Sequence, residues 1–544
     1  MKTTADIIIV GGGNAGCTLA YLLSQRYSVI LLEAGTDLSD DPRIFTPSES
    51  GTLINYVNKY FYPLGHSIKT SPPNDLRQPQ PGVSGEILGG GSSVNGMQYV
   101  RGTGEYFERW AAAVGDPEWG SPNVSEVYKR IERFNGVTGN FNPTAHGYQG
   151  PLDVKQIVVN EQAATVFTTA ASVVGGVPNN IDYNDLQNPL GSFVYFQATE
   201  TPTSLRASSF TAYLKSILRK KKSCDNVYRA HCTCKSLQVV VKARVQRINF
   251  EDSDCKRSRK RQHSQTARSV SAVVNGECVE FCARKKVILT AGFQSASLLQ
   301  LSGIGDSNHL SSICVDTIIH NPNVGQHVVN HPIISITGAV TGGAGPFTPL
   351  PPNYDPQGLY SGGAQLSSVS APGIRAYQLI GVASPTQVGL SPSAFTIIGL
   401  MLDAKSQGYI QIDSSDPNRP PLFDFKYFSD PSDITSGIEI YTYMYNILVQ
   451  MGLSPLGPDP SDTVAVQTFV TTQYRQAYHW TGMTRMSRTP SDGVVDTDGK
   501  VFRTSNLYVA DISVAPFNAL GNTQALAYLI PNIIADKLLR EADC

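Results

Sequence analysis

The stretch DIIIVGGGNAGCTLAYLLSQRYSVILLEAG, Asp6 to Gly35, restricts the fold of this chain more than any other. Ile7 to Val10 are continuously apolar, the pattern of a strand covered on both faces in a parallel sheet. Gly11, Gly13 and Gly16 follow as G-x-G-x-x-G; Ala15, Leu19, Leu22 and Leu23 then recur at helical spacing, and Val29 to Leu32 form a second apolar run ending at Glu33. Strand, tight turn, helix and strand make a dinucleotide-binding unit. One glycine allows the turn, one admits a pyrophosphate to the backbone, and one lets helix and strand pack closely. The helix start at Asn14 and Ala15 offers free N–H groups and the positive end of the dipole. Glu33, followed by Ala34, lies about 20 residues beyond the first glycine, where an acid accepts hydrogen bonds from a ribose. Which dinucleotide is bound stays open at this level.

At 544 residues the chain exceeds one ordinary core, so two domains are expected. Charged residues make up only 16%, against about 25% on average. With a net charge of −1 such a surface resists association poorly, and a homo-oligomer is expected. No apolar run reaches the roughly 18 residues of a membrane span. The first strand begins almost at Met1, so no cleavable signal peptide is expected in this sequence, and a soluble protein of undetermined compartment is expected. Nine cysteines are an odd number; six of them lie between Cys224 and Cys282. His231 beside Cys232 and Cys234 lacks the paired C-x-x-C spacing of a zinc site, so no metal is expected.

A second glycine-rich stretch, GVSGEILGGGSSVNGMQYVRGTGEYFERW, carries Gly90, Gly91, Ser92, Asn95, Gly96 and Met97 between apolar anchors, so its backbone is placed against a ligand rather than left as a linker. LQVVVKARVQRINF, Leu237 to Phe250 and including Val245, has strand character. KKVILTAGFQSASLLQLSGIG reads as strand, turn at Ala291 and Gly292, and helix. Gly342 to Gly373 reads as long loops. Near the C terminus, AYHWTGMTRM holds His479, LYVAD ends a strand at Asp511, and ALGNT precedes a helix for which Asn522 and Thr523 are suitable N-caps and which Pro531 is expected to interrupt and bend.

These four motifs, in this order, resemble the glucose-methanol-choline (GMC) oxidoreductase family over nearly the whole chain. The resemblance implies an α/β fold, with a discontinuous Rossmann-like FAD domain (1–155, 225–332 and 490–544) and an α+β substrate domain on an antiparallel sheet (156–224 and 333–489). It implies that the dinucleotide is FAD, that His479 is catalytic, and that Asn522 stands where the family has a second histidine or an asparagine. It further implies cofactor contacts from the glycine-rich residues above and from Val245, Ala291, Gly292, Asp511 and Thr523. Some members attach FAD through a histidine of the second motif. Here that motif contains no histidine, Asn95 standing there, so the FAD is expected to be noncovalent.

Glu86, Gly91, Asn330 and Gln407 depart from the family pattern, and none is expected to touch the catalytic pair. The expected reaction is oxidation of a small-molecule alcohol, with His479 as base. The many Tyr and Phe residues favour an aromatic substrate. No role is expected for His66, His146, His231, His263, His309, His320, His327 or His331. Two other readings compete. A hydroxynitrile lyase on this fold normally needs a second histidine. A structural protein contacting nucleic acid would use the basic runs Arg219–Lys222 and Lys256–Arg261, against which the net charge and the lack of interleaved aromatics argue.

Overall fold

The computed structural model describes residues 2–37, 41–50, 53–56, 59, 61–66, 81–158, 160–179, 181–220, 227–230, 236–250, 264–339, 360–383 and 394–541. The N-terminal apolar run forms the strand Lys2–Val10, with Ile7 to Val10 at most 3% exposed. Full burial of such side chains is worth roughly 1.5–3 kcal/mol each, which favours the middle of a sheet for this strand. It pairs in parallel with Ser28–Leu32 on one side and Glu277–Leu289 on the other. Ser236–Val240 and Leu507–Val509 extend the parallel block at its two sides. Helix Asn14–Ser24 connects the first two strands and packs on the C-terminal helix Gln524–Arg540. This is the Rossmann-like layer. Antiparallel strands flank it: Ala243–Phe250 and Ala267–Val274 beyond Glu277–Leu289, and Val227–Ala230 with Leu218–Lys220 beyond Ser236–Val240.

A second sheet is antiparallel throughout, with Pro332–Ala339, Ala394–Met401, Ala371–Val382 and Gly363–Ser368 as its long members. Helix Pro431–Gln450 packs on it with Ile440, Met444, Ile447 and Leu448, which recur on one helical face and are fully buried. Asp430 starts this helix by accepting the Ser432 N–H at 2.9 Å.

The strand character of Leu237–Phe250 is borne out as two strands, since Lys242 takes φ +54° and donates its N–H to the Gly35 carbonyl at 2.8 Å, sending the chain from one partner to another. Several expectations need correction. Gly363 to Gly373 is not loop: Gly363–Ser368 is a largely buried strand, paired through an exposed turn with the strand that begins at Ala371. Leu218–Lys220, placed by sequence with the substrate part, pairs into the Rossmann-like sheet, and Phe196–Ala198 pairs with Leu152–Ile157 across the expected boundary. Neither Asn522 nor Thr523 caps helix Gln524–Arg540 through its side chain, since Thr523 is already helical in φ and ψ and Asn522 bonds elsewhere. Pro531 sits buried inside that helix, which continues through it. His231, Cys232, Cys234, most of the Gly342–Tyr360 stretch and the basic run Lys256–Arg261 lie outside the described residues, as do Lys221 and Lys222 of the other run. Among the described residues no cluster suits a metal ion, and no helix is long and apolar enough to cross a membrane.

Candidate active site

A cavity of about 1050 Å³ runs from the carboxyl ends of the parallel strands to the face of the antiparallel sheet. Its size is at the upper end of the ~300–1,000 Å³ usual for ligand sites. Gly11, Gly13, Asn14, Ala15, Glu33, Ala34, Gly90, Gly91, Asn95, Gly96, Met97, Val245, Ala291, Gly292, Asp511 and Thr523 line it, together with His479 and Asn522. Gly16 and Ser92 do not. A Cβ on Gly16 would lie 1.8 Å from the Gly11 carbonyl oxygen, so this glycine serves helix-to-strand packing. Ser92 is buried behind the second loop, its hydroxyl donating to the Gly89 carbonyl at 2.6 Å.

The cradle is made where two glycine turns meet. Gly90 has φ +52°, and a Cβ there would come within 2.7 Å of the Gly13 Cα. Helix Asn14–Ser24 begins without a side-chain cap and without an acid in its first turn, so its first N–H groups and dipole face the cavity unneutralised. A pyrophosphate-bridged dinucleotide fits that chemistry. At one end, buried Glu33 accepts from the N–H of Gly12 at 2.6 Å and of Gly35 at 2.7 Å; burial nonetheless pushes its pKa up to about 7. Glu86, one of the departures, is paired with Arg244 at 2.6 Å on the same wall. Asp511 accepts from Gly292 N–H at 2.9 Å, Ser295 hydroxyl at 2.7 Å and Ser513 N–H at 2.9 Å, tying the Gly292 turn to the C-terminal segment.

At the other end His479 and Asn522 come together, Nε2 to Nδ2 at 3.4 Å. The Asn522 amide is oriented from behind, its Oδ1 accepting from Gln378 Nε2 at 2.7 Å. Asn330 Oδ1 accepts the backbone N–H of His479 at 2.9 Å. His331 Nδ1 lies 2.9 Å from His479 Nδ1, and its Nε2 lies 2.8 Å from the Ala519 carbonyl. Burial drives the His479 pKa well below the ordinary 6.5, with a smaller push from His331, and lowers His331 to about 4. Both rings are therefore neutral at pH 7.

Two expectations fail here. The Asn330 departure touches the catalytic pair after all, and His331, assigned no role, is a direct neighbour of His479. Both stand in VGQHVVNHP, a segment visible in the sequence, but nothing local shows that it folds against residues 148 and 149 positions away. Gln378 and Arg206 carry no motif at all. Buried Arg206 donates to the Asn95 carbonyl at 2.7 Å and to Asn95 Oδ1 at 3.1 Å, while Asn95 Nδ2 donates to Gln524. The second glycine loop is thereby fixed to the start of the C-terminal helix.

A glycine cradle for a pyrophosphate, joined by one cavity to a half-buried neutral histidine beside a carboxamide, defines a dinucleotide-dependent oxidoreductase. The chain belongs to the GMC oxidoreductase family: models described as GMC oxidoreductase match residues 5–333 and 404–530. It is an FAD-dependent enzyme of a class that acts on alcohols. It is 28% identical to an oxygen-dependent choline dehydrogenase of Staphylococcus saprophyticus, over 98% of this chain and 95% of that protein. It is 27% identical to a 5-(hydroxymethyl)furfural oxidase of a Methylovorus species, over 99% of both. The crystal structure of pyridoxine 4-oxidase from Mesorbium loti superimposes with a TM-score of 0.80 at 22% identity, over 98% of this chain and 99% of that one, which shows the shared fold.

Proposed function

We propose that the protein oxidises the CH–OH group of a small primary alcohol, with His479 as general base, Asn522 as the anchor of the substrate oxygen, and FAD bound noncovalently. The observation that carries this reading is the pairing of His479 Nε2 with Asn522 Nδ2 on the wall of the same cavity as the glycine cradle. Choline, 5-(hydroxymethyl)furfural and pyridoxine, named in the relatives above, each contain a primary alcohol.

A neutral imidazole accepts the hydroxyl proton at a cost that suits neutral pH. Asn522 cannot take that proton, but its Nδ2–H donates to the oxygen as charge develops there. FAD, when bound, supplies the acceptor for the two electrons that leave with the C–H hydrogen. Thr523 and Gln524 bring the N-terminal end of a helix to the same cavity, where its dipole favours negative charge.

Noncovalent attachment is supported by Asn95, whose amide is already bonded to Gln524, Met97 and Arg206. Acid precipitation should leave the flavin in the supernatant; flavin in the pellet contradicts this part. The reaction is tested by anaerobic mixing with a panel of primary alcohols, aromatic ones included, while the oxidised flavin band is followed. Bleaching is expected with at least one of them, and a flavin that no alcohol reduces removes the proposal.

A further inference from the structure

We propose that His331 is a positioning residue: it holds His479 in the tautomer that carries its proton on Nδ1, so that the Nε2 lone pair is presented to the substrate beside Asn522. This inference rests on the reading of His479 as the base.

The proton positions follow from the hydrogen-bond network. The Ala519 carbonyl can only accept, so the His331 nitrogen 2.8 Å from it, Nε2, carries a hydrogen. His331 is completely buried and neutral, which leaves its Nδ1 with a bare lone pair. That lone pair faces His479 Nδ1 at 2.9 Å, a distance at which two lone pairs repel and one N–H must stand between them. The proton therefore sits on His479 Nδ1. A neutral His479 then has its lone pair on Nε2, the atom that meets the Asn522 amide donor.

The far side of the arrangement agrees. Asn522 has its Oδ1 turned to Gln378 Nε2, so its Nδ2 is the atom directed at His479. The groups acting on the two rings are Ala519, Asn518, Asn522 and the rings themselves, and none of them is a carboxylate, a lysine or an arginine. No fixed charge selects the tautomer. The selection passes from a backbone carbonyl through one imidazole to the next.

The arrangement also matters after proton uptake. When His479 accepts the hydroxyl proton at Nε2, its Nδ1–H bond to His331 becomes charge-assisted and stronger. No proton has to move along the chain, and His331 stays neutral. A carboxylate in the place of His331 would hold His479 as imidazolium before substrate arrives, so a neutral acceptor is the better orienter for a base that must start unprotonated.

The test uses the FAD-loaded enzyme with an alcohol that reduces it. His331→Leu removes the acceptor and should lower the limiting rate of anaerobic flavin reduction by about tenfold to a hundredfold, the usual size for an orienting partner. Substrate Kd and the flavin spectrum should be unchanged. His331→Asn, which restores an oxygen acceptor near the Nδ1 position, should recover a substantial part of that loss. A His331→Leu rate within twofold of wild type overturns the proposal, as does a His331→Asn enzyme no faster than His331→Leu. If neither variant folds, nitrogen-15 spectra of histidine-labelled wild-type enzyme decide: the proton on Nδ1 of His479 is expected, and the proton on Nε2 contradicts it. His479→Ala measured alongside separates the two claims. Loss of reduction in His479→Ala without loss in His331→Leu rejects the positioning role and leaves the base in place; no loss in either rejects the base itself.

Discussion

Two histidine sites in this molecule are built alike and charged differently. His146 bonds to Glu132 through Nδ1 at 2.9 Å and to Asp182 through Nε2 at 2.9 Å, and Phe134 stacks on the ring. Arg101 is the fourth charged member, paired with Glu132. Burial opposes a charged His146, but the bonds to Asp182 and Glu132 outweigh it and raise its pKa above 6.5. With His146 protonated, two cations balance two carboxylates; with it neutral, the buried cluster carries an excess negative charge. His479, half-buried on the cavity wall, also has two ring partners, yet they are a neutral imidazole and an amide, so desolvation wins and its pKa falls. Burial alone does not set the charge of a histidine. Its partners decide whether it is a structural cation or a base.

The largest expected effect falls on His479, the proposed base. His479→Ala should cost about 10²- to 10⁴-fold in flavin reduction, read by stopped flow with the fold checked by circular dichroism, whereas His146→Gln should leave the reduction rate within a few-fold. Breaking the other site should act on stability instead. Arg101→Met leaves Glu132 buried without its guanidinium partner, and about 3–5 kcal/mol of stability should be lost in denaturant unfolding.

A smaller effect separates the sites by pH. A raised His146 pKa contributes stability that is fully present below the unfolded value of 6.5 and is lost as pH rises through the folded value. Glu132 and Asp182 have depressed values, so their contributions are present above 4.5 and 3.8 and are lost as pH falls through the folded values. The cluster is therefore most stabilising between those limits and 6.5. The melting temperature of wild type should decline on the alkaline side of 6.5, and His146→Gln should flatten that decline. The smallest effect is a control: Lys129→Ala breaks the exposed pair with Glu126, 3.0 Å apart, and should change stability by less than about 1 kcal/mol.

What the sequence made legible were the parts whose determinants lie close together along the chain. Strand, glycine turn and helix from Ile7 to Glu33 are encoded by period and by the absence of Cβ atoms. Residues that the motifs named on both glycine turns meet at one cavity. The pairing of His479 with Asn522, in motifs about 40 residues apart, came from the family resemblance rather than from any local pattern. Sequence reasoning missed His331 because an imidazole shows its partners only after folding. It missed the His146 cluster for the same reason: Arg101, Glu132, His146 and Asp182 come from four separate segments, each ordinary on its own. It gave Leu237–Phe250 strand character without the turn at Lys242, which leaves no mark in an apolar run, and it read Gly363–Gly373 as loop because glycine content was visible and strand pairing was not.

The central claim is that His479 is held neutral by burial among uncharged partners and works as the base in that state. Its most direct test is the rate of anaerobic flavin reduction at saturating alcohol, measured from about pH 5 to 9. The account predicts a plateau through neutral and alkaline pH and one acid limb below the ordinary histidine value of 6.5. A limb above 6.5 would contradict it, because it would mean that His479 is protonated at rest like His146.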